Sequence, residues 1–372
     1  MAVKRRFIPT RTLQTGMKID QVIVDQTGRA LIEKGAFLDD FQITELIKRG
    51  VTGIYVAEGE VDEDDMIFIP EFTQTVIEEN TKPDPKKLEL SQEIKKRVNE
   101  GIQYLYNNTD SPDFVKNSEN VSGELMKSIM DSDAVAVDLN TLKVSDEYTF
   151  KHSVDVAAMS IIIGKNMGLS DDELKMLGTT GLLHDVGKAK IPNEVLNKPS
   201  RLTQEEFEVI KQHSVFGYRI LMEKNGFADP VLRGVLQHHE KINGKGYPMG
   251  VEGNMIHKFA KIISVADIYD ALVTDRPYKK AFEKRTAVEM IMAMTAELDI
   301  TVMQSFLNTV ILYPVGKQLV LSNGERVKVL QNIPGYPLRP KVVSIATGKI
   351  YDLSSDIHCA SLVIPADDLE MI

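Results

Sequence analysis

The chain has 372 residues, 43% hydrophobic and 26% charged, the make-up of a soluble globular protein of two or three domains. A formal net charge of −10 excludes a protein that coats duplex nucleic acid, which needs a basic stripe to displace counterions, so no nucleic acid polymer is expected as a partner. The start, MAVKRRFIPTRTLQTG, has no apolar core of signal-peptide length and no stretch resembles a membrane span. The single cysteine, Cys359, excludes an internal disulfide or a multi-cysteine metal cluster, so the expected location is the cytoplasm and any metal must be held by histidine and carboxylate.

The first sixty residues alternate short β-branched runs, at 17–24, 30–33 and 53–56, with glycine turns such as Gln26-Thr27-Gly28. Between them, 39–49 has helical spacing with Phe41, Ile43, Leu46 and Ile47 as its apolar side. Residues 1–60 are therefore expected to form a small α+β domain. The acidic run EGEVDEDD and the lysine-proline stretch at 81–87 mark 61–90 as a linker. From 91 to 310 the pattern is helical almost throughout. Ser170–Glu173 and Thr203–Glu206 fit the capping box, in which a hydroxyl and a carboxylate satisfy free amide donors at a helix start, and Asp229-Pro230 marks another start. After Pro314, GKQLVLS, Asn323-Gly324 and ERVKVLQ predict a hairpin with a two-residue turn. With further strand candidates at 341–346 and 362–365, residues 311–372 are expected to be a small β-rich module. The fold class expected is mainly α, with a helical bundle as the central domain between these two smaller parts. The tripeptide Gly335-Tyr336-Pro337 lies in the terminal module with no histidine near it and reads as a turn.

Of the seven histidines, five carry more information than their number: His152, His184, His213, His238 and His239. Asp185 stands beside His184, and Asp267 follows further on, whereas His257 and His358 fit ordinary structural roles. Counting His238 and His239 as one place, the five fall on, or at the ends of, different predicted helices, about thirty residues apart, the length of a helix plus its return. Neighbouring helices can then present one ligand each at one level of a bundle. Imidazole nitrogen and carboxylate oxygen suit iron, manganese or nickel, and also cobalt or zinc, and the lack of thiolate argues against a structural zinc site. Five histidines and two aspartates exceed what one ion can use. Two ions roughly 3.5–4 Å apart, bridged by a carboxylate, use them all and activate a water for in-line attack on phosphorus. Asp185 is the natural bridge, and Lys188, one helical turn beyond His184, can neutralise a phosphate oxygen as charge builds.

The stretches LLHDVGK (182–188), HHEKINGKGYP (238–248) and SVADIYDALVTDRPYKKA (264–281) closely resemble the HD-GYP phosphodiesterases of bacterial cyclic-di-GMP signalling, over residues 145–290. The resemblance implies an HD-type helical bundle and two divalent transition-metal ions per chain. It implies hydrolysis of cyclic-di-GMP to the linear pGpG and onward to GMP. It places His152, His184, Asp185 and Asp267 around one ion and Asp185, His213, His238 and His239 around the other. Lys188, Arg276 and Lys279 match the positions that contact phosphate, and Gly246, Tyr247 and Pro248 form the loop at the rim of the site. Asp270, one turn beyond Asp267, is expected to orient a ligand. Some relatives hold a third metal with a glutamate four residues before the first histidine; here Tyr148 stands there and Glu147 is one place off, so two ions are expected. Implied partners are the cyclic dinucleotide, a diguanylate cyclase or other signalling protein through the GYP loop, and a second copy of the chain in a homodimer. Two alternatives remain, a phosphodiesterase for cyclic GMP-AMP and a cyclic-dinucleotide sensor without turnover. LQTGMKIDQVIVDQTGRALIEKG (13–35) resembles an accessory domain found ahead of some HD-GYP domains.

Overall fold

Short antiparallel pairs and one capped helix make up the N-terminal end. The computed structural model describes residues 4–19, 22–24, 30–32, 36–58, 69–132, 134–137, 148–198, 200–275 and 280–365. Its first elements are β1 (Lys4–Pro9), β2 (Ile23–Val24), β3 (Ala30–Ile32), α1 (Asp40–Lys48) and β4 (Gly53–Glu58). β1 runs antiparallel to β4 with Phe7 opposite Tyr55, and β2 runs antiparallel to β3. Leu13, Ile19, Ile23, Ile32, Leu38, Leu46, Ile54 and Val56 close a small core. Helix α1 starts where Asp39 and Gln42 cap each other, the carboxylate accepting the Gln42 N–H at 2.6 Å and the Gln42 side chain accepting the Asp39 N–H at 3.0 Å. Its apolar side is narrower than expected. Leu46 and Ile43 face the core, while Phe41 and Ile47 are 74% and 52% exposed. Phe41 stands about 160° around the helix from Ile43, and Ile47 about 100° from Leu46 in the last turn. The turn at 26–28 lies outside the described residues, as do residues 59–65 of the acidic run. Within 61–90 the chain also forms a helix, α2 (Glu71–Asn80), which buries only Thr73 and Ile77 and so left a weak periodic signal.

The helical part contains β5 (Lys87–Leu88), α3 (Gln92–Asn107), α4 (Phe114–Asp131), β6 (Ala136–Val137), α5 (Tyr148–Asn166) and α6 (Asp171–Leu183). β5 and β6 pair in parallel, a departure from an all-helical domain. A 3₁₀ turn at Val186–Lys190 leads to α7 (Asn193–Leu196), α8 (Gln204–Lys211), α9 (His213–Glu223) and α10 (Asp229–Gln237). α11 (Lys258–Val273), α12 (Lys284–Ala293) and α13 (Ile300–Thr309) complete it. Both expected capping boxes form. The Ser170 hydroxyl accepts from the Glu173 N–H and the Glu173 carboxylate from the Ser170 N–H, and Thr203 and Glu206 repeat the pattern. Helix α5 is buried from His152 through Gly164, the mark of a helix at the centre of its domain, and packs most heavily on α6. The Tyr106 hydroxyl of α3 donates to the Leu182 carbonyl at 3.2 Å, tying down the end of α6 just before His184.

Four strands follow, β7 (Gln318–Val320), β8 (Arg326–Gln331), β9 (Lys341–Ser344) and β10 (Ile350–Asp352), in the order β10-β9-β8-β7. The β7–β8 hairpin has a longer turn than Asn323-Gly324 alone implies. Leu321 N–H donates to Glu325 O at 2.9 Å, leaving Ser322, Asn323 and Gly324 as a three-residue loop with Gly324 at φ +81°. Residues 362–365 form no strand. Gly335-Tyr336-Pro337 sits in a turn with Tyr336 54% exposed. The chain divides into two compact units, Met1–Thr81 with Gly316–Val329 and Val342–Tyr351, and Lys82–Val315 with Leu330–Lys341 and Asp352–Ile372. The stretch 311–372 is thus shared between them. Among the described residues no helix is long and apolar enough to cross a membrane.

Candidate metal centre

Helix ends do most of the positioning. His184 directly follows α6, His213 opens α9 just beyond α8, and His238 and His239 directly follow α10; His152 and Asp267 project from α5 and α11. The last carbonyls of a helix lack intrahelical partners, and three histidines use them. His184 Nδ1 donates to Gly181 O, His213 Nδ1 to Ile210 O and His238 Nδ1 to Val235 O, each at 2.7 Å. A carbonyl can only accept, so the proton is on Nδ1 and each neutral ring turns a bare Nε2 lone pair inward. His152 is held differently, its Nδ1 donating to Asp270 Oδ2 at 2.6 Å, while the other Asp270 oxygen accepts from the Thr274 hydroxyl at 3.2 Å.

These side chains meet in one cluster. Asp185 Oδ2 lies 3.4 Å from His184 Nε2 and 3.8 Å from His152 Nε2, and Asp185 Oδ1 lies 3.4 Å from His213 Nε2. Asp267 spans the same gap, with Oδ1 3.1 Å from His152 Nε2 and Oδ2 3.9 Å from His239 Nδ1. Two groups of donor atoms are each tight enough to share an ion: His152, His184 and Asp185, and His213, His238 and His239. The donor set fits a cation on two further counts. His184 Nε2 is buried with no hydrogen-bond partner among the described residues. His213 Nε2 and His238 Nε2 stand 3.2 Å apart, two lone pairs facing each other, which is unfavourable without a positive charge between them.

The electrostatics agree. Burial holds the imidazolium form of His184, His213 and His238 below the ordinary range, and it takes His239 down to about 3. Burial opposes charge on His152 as well, but the hydrogen bonds to Asp267 and Asp270 outweigh it and raise that ring to about 10. Burial alone would raise Asp185; Lys188 and the surrounding histidines override it and hold the carboxyl well below the usual carboxylate range. Lys188 makes a direct ion pair with Asp185 from the 3₁₀ turn. That turn lies so close to α9 that a Cβ on Gly187 would stand 1.8 Å from His213 O, a place only glycine can take.

The loop after His239 closes one side. The Tyr247 ring lies against the His239 ring, centroids 4.6 Å apart and planes 30° apart, and Tyr247 N–H donates to His239 O at 3.2 Å. Gly246 lets the backbone pass Glu240, where a Cβ would come within 2.4 Å of Glu240 Cα. Pro248 follows in the same loop. Sequence reasoning missed Glu240, a buried carboxylate that accepts N–H groups of Met249, Gly250 and Val251 at 2.7, 3.1 and 3.2 Å and so shapes the loop. The signal was an acid between the histidine pair and a glycine-rich turn. It also missed Asp155, buried one turn beyond His152, whose carboxyl is pushed well above the ordinary range by burial and by Asp270. Arg276, Lys279 and Glu147 lie outside the described residues, as does the side chain of Tyr148, the first residue of α5.

A histidine–aspartate cluster at the converging ends of helices defines an HD domain, and the family model described as "HD domain" matches residues 137–302. That match takes in every member of the cluster, from His152 to Asp267, and the chain is a hydrolase. It is 29% identical over 346 residues to a cyclic di-GMP phosphodiesterase of Pseudomonas aeruginosa, covering 90% of this chain and 84% of that protein. It is 36% identical over 149 residues to a 3'3'-cGAMP-specific phosphodiesterase of Vibrio cholerae, covering 38% of this chain and 32% of that one. A solved HDG"Y"P protein of Bdellovibrio bacteriovorus is similar over 82% of this chain and 98% of its own, at 19% identity and a TM-score of 0.48.

Proposed function

We propose that the chain is a metal-dependent phosphodiesterase that hydrolyses cyclic di-GMP to pGpG and onward to GMP. One observation carries the reading: the two oxygens of Asp185 face different groups of histidines, His184 at 3.4 Å on one side and His213 at 3.4 Å on the other, as a bridging carboxylate must. His152, His184, Asp185 and Asp267 would hold one divalent ion, and Asp185, His213, His238 and His239 the second, with iron, manganese or nickel suited to these donors. Bound ions supply a Lewis acid for phosphoryl oxygens and acidify a water. The chain's own residues do the rest. Lys188 offsets charge on the phosphate as the P–O bond breaks, and Arg276 and Lys279 join it on the substrate's phosphates. Asp270 holds His152 in the tautomer that turns Nε2 inward. Tyr247, its phenol kept protonated by burial and by the charges of Asp267 and Asp185, is a hydrogen-bond donor at the rim. The same reading places the protein in the cytoplasm and leaves the exposed side of the GYP loop, where Met249 is 49% exposed, to meet another signalling protein such as a cyclase.

A second substrate has specific support, since three relatives carry the name of a 3'3'-cGAMP-specific phosphodiesterase. Both are tested together by incubating metal-loaded protein with cyclic di-GMP and with 3'3'-cGAMP and separating the products. Faster linearisation of cyclic di-GMP is expected. Preference for 3'3'-cGAMP would exchange the substrate, and no product from either, with metal bound, would overturn the function in favour of a sensor.

A further inference from the structure

Helix α8 buries none of its residues, so the core gains little from it. It is nevertheless firmly tied at its start by the Thr203–Glu206 capping box and by Lys198, whose ammonium meets both Glu206 oxygens at 2.7 and 2.6 Å. At its other end stands Lys211, two residues before His213. Its ammonium lies 5.1 Å from the centroid of the Phe207 ring and 5.7 Å from that of Tyr247, within the roughly 6 Å over which a cation is attracted to a ring face. Phe207 is the residue one turn back on α8, 42% exposed, and Tyr247 is the ring that stacks on His239. A continuous line of contacts thus runs from a surface helix through one ammonium to a ring against the metal centre.

The charge of Lys211 points to what it does. Glu208, one turn earlier, takes a hydrogen bond from the ammonium at 2.6 Å, so the pair is neutral at long range and a poor lure for an anionic substrate. Close attraction to the ring faces survives that pairing. Resting on the function proposed above, we infer that Lys211 is a positioning residue for the substrate loop, its ammonium between Phe207 and Tyr247 keeping Tyr247 stacked on His239 in the arrangement that receives substrate.

The test uses the metal-loaded full chain. Lys211→Met should raise KM for cyclic di-GMP by roughly three- to tenfold, the size of a partly desolvated cation–π contact, with kcat and metal content nearly unchanged. Lys211→Arg should restore KM, because a guanidinium also stacks on aromatic faces. Glu208→Gln separates positioning from direct phosphate contact: KM stays near wild type if Lys211 positions the loop, and a clear fall would mean that the unmasked charge binds phosphate, which overturns the inference. An activity-independent arm follows tryptic cleavage after Lys245 in the loop, expected to be several times faster in Lys211→Met and normal in Lys211→Arg. If wild-type protein hydrolyses no cyclic dinucleotide, the proposed function falls and the tryptic arm alone decides on Lys211. Unchanged cleavage in Lys211→Met, or a Lys211→Arg variant as impaired as Lys211→Met, overturns the inference.

Discussion

Asp185 is buried, ion-paired to Lys188 and set between two groups of histidines. Asp185→Ala is expected to lower hydrolysis by roughly a hundredfold or more with the fold intact, since it removes both the bridge and the charge that Lys188 pairs with. Circular dichroism with turnover measurements checks this; retention of a tenth of the wild-type rate with two ions bound would refute the bridge. The histidines carry a second expectation, for metal-free protein. In an unfolded chain histidine titrates near 6.5. In the fold His184, His213, His238 and His239 are held below that, chiefly by burial. As the pH falls through 6.5 the unfolded chain therefore takes up protons that the fold refuses, and stability is lost on the acid side, by at most about 1.4 kcal/mol per pH unit for each ring. His152 has the opposite sign. Its folded value of about 10 stabilises the metal-free protein below 6.5, a contribution that fades as the pH rises from there to about 10. Thermal melts of metal-free protein should show Tm falling between pH 7 and 5.5, and a flat profile would contradict the neutral-ring assignment.

Among the elements, the 3₁₀ turn after α6 is the most constrained. Gly187 leaves no room for a side chain against His213 O, so Gly187→Ala must push the Lys188 turn away from the start of α9. The expected result is a loss of roughly 1–3 kcal/mol or more in stability, as for other overpacked sites, together with reduced metal retention and turnover. Denaturant titration beside metal analysis decides it, and normal values in both would show that the turn is less tightly held than its contacts imply. What was legible in the sequence follows from the same helix ends. The clustered histidines were readable because His184, His213 and the His238–His239 pair sit where helices stop or start, and capping and periodicity betray those points. Glu240, Asp155 and Lys211 were not, because each depends on a fold-back that spacing does not encode: three amides converging on Glu240, a neighbouring acid beside Asp155, and two rings on either side of Lys211. Helix α2 was missed for the opposite reason, since a helix that buries only Thr73 and Ile77 has almost no apolar stripe.

For the chain as a whole, the helical region was plain because its core runs through the near-continuous apolar sequence of α5, and among the later strands the β7–β8 hairpin and β9, expected at 341–346, were readable. Strand β10, which pairs with β9 across a short turn, and the third residue of the loop before β8, closed by Leu321 and Glu325, carried no such signal. The similarity to the Pseudomonas phosphodiesterase extends over 90% of the chain, beyond the HD domain at 137–302. The most direct test of a two-ion phosphodiesterase is hydrolysis of cyclic di-GMP in ¹⁸O-labelled water by protein carrying a measured two equivalents of divalent metal. Mass spectrometry of the linear product should find one ¹⁸O on its terminal phosphate, with the label and the product both lost when the metal is removed. Protein holding both ions that yields no labelled product, or that yields it equally well without metal, would contradict the assignment.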